Sequence, residues 1–121
     1  MNNTQLAKID NQALAALRAR AEIDSADTWQ PEIGETLEGV LIGSRVVANP
    51  FGGTQHQAVI RTPGGDLLAF WLNDWLMAQM QAHTAELGDL ISLRLLGKSQ
   101  SMRGSTYNRY ALSVLKAEAV Q

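Results

Sequence analysis

Two kinds of hydrophobic spacing divide the chain. Leu6, Ile9, Ala13, Ala16 and Leu17 recur every three or four residues in the glycine- and proline-free run from Thr4 to Glu22, which predicts an amphipathic helix with a narrow, largely alanine stripe. "DSADTWQPEIGE" then breaks the pattern with small polar residues and Pro31, so 1–30 reads as helix plus linker and 31–121 as the main domain. Trp29 in that linker is expected to pin it to the body, because an indole is costly to leave wholly in water. From Glu35 onward the period shifts to two.

"ETLEGVLIGSRVVA" predicts a long first strand, bulged or bent at Gly39 and Gly43. "NPFGGTQ" is a loop, "HQAVIRT" a second strand, "PGGD" a tight turn and "LLAFWLN" a third strand. Asp74 reads as the N-cap of a helix, "WLMAQMQAHTAEL", closed by Gly88 and turning Trp75, Leu76 and Met80 inward. "DLISLRLL", with Ile91, Leu93 and Leu95 on one face, and "TYNRYALSVLKAEAV" complete five strands. Five strands with a helix between the third and fourth is the order of the OB-fold. The expected class is therefore all-β with helices, a five-stranded Greek-key barrel preceded by an N-terminal helix. An SH3-like barrel or a mixed α+β roll uses the same elements, but the position of the internal helix favours the OB order.

Composition narrows the functions. The 121 residues, 45% hydrophobic and 18% charged, suffice for one cored domain and are not those of a disordered chain. The absence of cysteine excludes disulfides and thiolate metal sites. His56 and His83 lack the neighbours of a metal motif, so neither metal nor cofactor is expected. Asp66, Asp74, Glu86 and Asp89 fall at turns and caps, and no nucleophile set or phosphate loop is present, so neither an enzyme nor a small-molecule substrate is expected. No apolar run approaches a membrane span and no signal-peptide core precedes the helix, which points to the cytoplasm. Net charge is −2, so a global basic footprint is missing. Where the cations of the main domain lie matters more.

"WQPEIGETLEGVLIG", "LLAFWLNDWL", "GDLISLRLLGK" and "YNRYALSV" together resemble a group of small OB-fold proteins carried by bacteriophages and mobile elements, described as single-stranded-DNA-binding or replication-associated. The resemblance spans most of Trp29 to Leu115. It implies a five-stranded fold, single-stranded DNA as partner and a role in phage or plasmid replication or recombination. The acidic tail of bacterial single-stranded-DNA-binding proteins has no counterpart in "LKAEAVQ".

Such a site needs cations for phosphates and aromatic platforms for bases. On an OB barrel they come from the second and third strands and from the loops after the first and fourth. The candidates are Arg45, Arg61, Lys98, Arg103 and Arg109 for phosphates, and Phe51, Trp71 and Tyr107 for stacking. Each has a plainer reading: Arg45 and Arg61 as surface cations, Phe51 folded over the barrel mouth, Trp71 covered by the N-terminal helix or linker. Lys98 and Arg103 read equally as an ordinary hairpin tip, and Tyr107 with Arg109 as a cross-strand pair. Alternation sends Tyr110 to the core, and Trp75 is expected there too. The rival function is an OB-type protein-interaction module, and the N-terminal helix is a candidate for homo-oligomer contacts.

Overall fold

The computed structural model describes residues 10–120. Helix α1 (Asn11–Asp24) starts at Asp10, whose carboxylate accepts the Ala13 N–H at 2.7 Å and so caps the first turn. The part of the expected helix from Thr4 to Ile9 lies outside the described residues. No residue of α1 is buried. Its ties to the body all come from the last turns, chiefly through Ile23.

Six strands follow: β1 (Asp27–Thr28), β2 (Thr36–Ala48), β3 (Thr54–Arg61), β4 (Leu67–Trp71), β5 (Leu90–Gln100) and β6 (Thr106–Leu115), with α2 (Asp74–Ala82) between β4 and β5. They form one open sheet in the order β1-β4-β3-β2-β5-β6. The protein is thus mostly sheet with two helices, as the spacing predicts. The sixth strand was not expected: Asp27 and Thr28, read as linker, pair in parallel with Leu68 and Ala69 of β4. Trp29 does act as the anchor, donating its N–H to the Ala69 carbonyl and packing on the core.

The hinge of the sheet is β2. Its first half pairs with β5 (Thr36–Val40 against Leu90–Arg94) and its second with β3 (Val40–Ala48 against Thr54–Arg61). The changeover is at Val40, and a bulge between Leu41 and Gly43 follows just past it, within the β3 pairing. Gly39 and Gly43 are there for room: a Cβ on Gly39 would fall on the Arg61 carbonyl, and one on Gly43 on the Ile23 side chain. Leu37, Leu41, Ala58, Ile60, Phe70, Ile91 and Leu93 form one core with Leu76 of α2, and Leu112 and Val114 of β6 pack on it. In a flat sheet β4 and β6 would lie about 19 Å apart, four strand spacings. A shared core therefore means that the sheet is strongly curled.

Two local expectations are corrected. The N-cap of α2 is Asn73 rather than Asp74, its side chain accepting the Leu76 N–H at 2.8 Å. Leu76 and Met80 turn inward, while Trp75 is 46% exposed and not in the core. The helix also stops early. Thr84 (φ 51°) takes the left-handed position, and the Ala85 N–H reaches the Met80 carbonyl, so Gly88 is a later turn and not the cap. Finally, β5 runs on to Gln100, which places Lys98 within the strand pair and shortens the last hairpin loop to Ser101–Ser105.

Candidate nucleic-acid interface

The eight candidate residues separate into three groups. Arg45 is already spent. Its guanidinium donates to the carbonyls of Ile23 (3.1 Å), Asp24 (2.9 Å) and Ala26 (2.8 Å) and to the Gln57 side-chain oxygen (2.8 Å). The first two carbonyls lie at the C-terminal end of α1, which favours a cation there. Gln57, fully buried, passes the link on by donating to the Thr28 hydroxyl. Arg45 thus holds α1 and β1 on the sheet, and its expected role as a phosphate contact fails because its donors are committed. Arg61 meets the Glu22 carboxylate of α1 at 2.6 Å, an exposed pair. Around it Val59, Ala69 and Leu67, on the outer face of β3 and β4, are covered by Ile23 and Ala26. Trp71 ends that face, 37% exposed and opposite Gln57. The groove expected across these strands is largely occupied by the chain's own N-terminal segment.

Phe51 forms the second group by itself. It stands at the tip of the β2–β3 hairpin, 97% exposed. Its N–H bonds to the Asn49 side chain, and the Gly52 N–H to the Asn49 carbonyl, so the tip is an ordered turn and not a floppy loop.

The third group is coherent. Lys98, Arg103, Tyr107 and Arg109 all belong to the β5–β6 hairpin and are exposed. Ser101 builds this turn as Asn49 builds the other, accepting the Arg103 and Ser105 N–H groups on its hydroxyl and the Gly104 N–H on its carbonyl. Gly97 leaves space for the Arg109 guanidinium, which passes 3.7 Å from where a Cβ would sit. Among the described residues none of these three cations has an acidic partner.

Beside the hairpin lies a cleft of about 290 Å³, lined by Trp75, Leu96, Tyr107, Asn108, Arg109 and Tyr110. It opens where the start of α2, following β4, faces β6. This is the seam between α2 and the β5–β6 pair. A bulge between Leu95 and Gly97 brings Leu96 to the surface. Tyr110 packs against the core as expected, yet its other side lines the cleft, and its hydroxyl accepts an N–H of the Asn108 amide at 3.2 Å. Sequence reasoning therefore missed Trp75 and half of Tyr110. The signal for Trp75 was its place about 100° round the helix from Leu76, at the rim of the buried stripe.

No metal-ligand cluster occurs among the described residues, and none of their helices is long and apolar enough to cross a membrane. No family model matches the chain, and no curated protein does either.

Proposed function

We propose that the protein binds single-stranded DNA with little sequence preference, through the β5–β6 hairpin and the seam cleft. The carrying observation is a cleft that gathers three aromatic side chains, Trp75, Tyr107 and Tyr110, with the unpaired Arg109, on a hairpin that also carries the unpaired cations Lys98 and Arg103. Aromatic faces stack bases of any identity at about 1–3 kcal/mol each, and cations along the edge follow the phosphates. Arg45 and Arg61 drop out of the proposed contact set, and Phe51 stands on the other hairpin. The strand order β4-β3-β2-β5-β6 with a helix between β4 and β5 fits an OB-type barrel left open at the seam, with β1 added at its edge. Together with the resemblance to phage and mobile-element proteins, this favours a role in replication or recombination.

The test is titration of fluorescent oligo-dT at several salt concentrations. Binding should weaken with a log–log slope of about −2, from about −0.7 per phosphate contact and three cations. Tyr107→Ala should cost about 1–3 kcal/mol of affinity. No binding at micromolar protein and low salt would sink the proposal. A protein-interaction module is the alternative, favoured by one observation: the β2–β3 hairpin is uncharged and apolar at its tip.

A further inference from the structure

Among the strand edges that the curled sheet leaves open in the described residues, two differ in chemistry. The β6 edge is guarded by Arg109 and by Lys98 across the ladder. The second is the upper half of β2, because β5 pairs with β2 only over Thr36–Val40. From Val46 to Ile60 there is no Asp, Glu, Lys or Arg. Val46, a large apolar residue, is 53% exposed there. Natural edges are normally blunted by charge, proline or cover. Val46 to Ala48 have none of these, and the open stretch ends at Ser44 and Arg45, where α1 reaches the strand.

The ladder shows which backbone groups are free. The Asn49 N–H bonds to the Gly53 carbonyl, so alternation makes 47/55 and 45/57 bonded pairs and turns the groups of Ser44, Val46 and Ala48 away from β3. Two contacts agree with that phase. Arg20 reaches the Ser44 carbonyl at 3.4 Å from outside the ladder, and the carbonyl of His56, opposite Val46, accepts from Leu72 on the β4 side. Val46 and Ala48 therefore present two N–H donors and two carbonyl acceptors at alternate positions along an apolar edge.

We propose that this edge is a self-association surface: residues 46–48 of two copies pair antiparallel about a two-fold axis, Val46 of each exchanging its N–H and carbonyl with Ala48 of the other and continuing one sheet into the next. Charge argues for a second copy as the occupant. A two-fold contact sets each residue near its own counterpart, where like charges repel, and an uncharged stretch avoids that. The register argues likewise. The cationic hairpin leaves the opposite end of β2, so pairing here keeps the two basic hairpins apart and both exposed. A nucleic acid would find no Lys or Arg between Val46 and Ile60.

The experiment uses the whole chain without nucleic acid, so its outcome is separate from that of DNA binding. Sedimentation should show a mass rising from one chain toward two as concentration increases. Amide exchange at Val46 and Ala48 should slow over the same range. Val46→Lys should abolish both effects. Ala48→Pro should as well, since it removes an N–H that the β2–β3 ladder does not use. Leu17→Glu, on the exposed face of α1, should leave association unchanged. A single-chain mass up to sub-millimolar protein, or free exchange at Val46 and Ala48 at every concentration, overturns the proposal. So does association that survives Val46→Lys and Ala48→Pro, or that is lost in Leu17→Glu.

Discussion

Arg45 and Arg109 show how little a residue type says before its acceptors are known. Both were read as phosphate contacts, and both lie on strands among uncharged neighbours. Arg45 faces the end of α1, where helix carbonyls need donors, and it satisfies the buried Gln57 as well. Arg109 faces solvent over Gly97. The two should separate on substitution. Arg45→Ala leaves the buried Gln57 oxygen and the helix end without their donor, at about 1–3 kcal/mol for the unsatisfied buried group alone. Arg109→Ala should leave denaturant stability nearly unchanged and weaken oligo-dT binding. Equal stability of the two variants in urea titration would refute the assignment. No sequence pattern distinguishes them, since the partners of Arg45 are backbone carbonyls some twenty positions earlier.

At the scale of elements, alternation and turn chemistry placed the strands well, because buried and exposed positions repeat with period two wherever one face meets a core. Ile91, Leu93 and Leu95 are all buried, as their spacing requires. Errors gather where two capping groups adjoin, as at Asn73-Asp74, or where an unusual residue ends a helix, as Thr84 does. The chain end is fixed by such a cap-like device. Buried Asp89 accepts from the Lys116 ammonium (2.6 Å) and from the N–H groups of Ala117 and Glu86, which ties the exit of β6 to the start of β5. The Lys116 hydrogen bond first, then the two backbone donors, hold the Asp89 carboxyl down at about 2, against an ordinary 3.8. A lowered carboxyl contributes stability above its unfolded value and loses it as pH falls through the folded one. Stability should therefore drop between about pH 4 and pH 2, and Asp89→Asn should flatten that part of the curve while lowering stability at neutral pH. Thermal melts across this window would show it. An unchanged acid slope in the variant would count against the ion pair.

For the molecule as a whole, a mostly-sheet domain with two helices was legible and the cover was not. An apolar outer face on β3 and β4 reads the same whether a ligand or the chain's own N-terminus lies on it. Ala26 and Ile23 are too small a signal to announce that they fill the site. The cleft was equally hidden, since it needs the bulge at Leu96 and the rim position of Trp75 on α2 together.

The attachment of α1 and β1 also sets an order of events in time. Strand β1 has no ladder partner until β4 exists, because Asp27 pairs with Leu68 and Thr28 with Ala69, a long loop away, and the contacts of α1 with β2 and β3 close loops of some twenty to forty residues as well. This N-terminal strap must dock after the sheet has formed, outside the folding nucleus. Ile23→Ala should then quicken unfolding and leave the refolding rate almost untouched. Stopped-flow fluorescence can separate the two limbs, and slowed refolding would place the strap in the nucleus instead. On that kinetic reading the N-terminal segment is the first part of the fold to leave, and its departure uncovers Arg45, Arg61 and the outer face of β3 and β4 while the core persists.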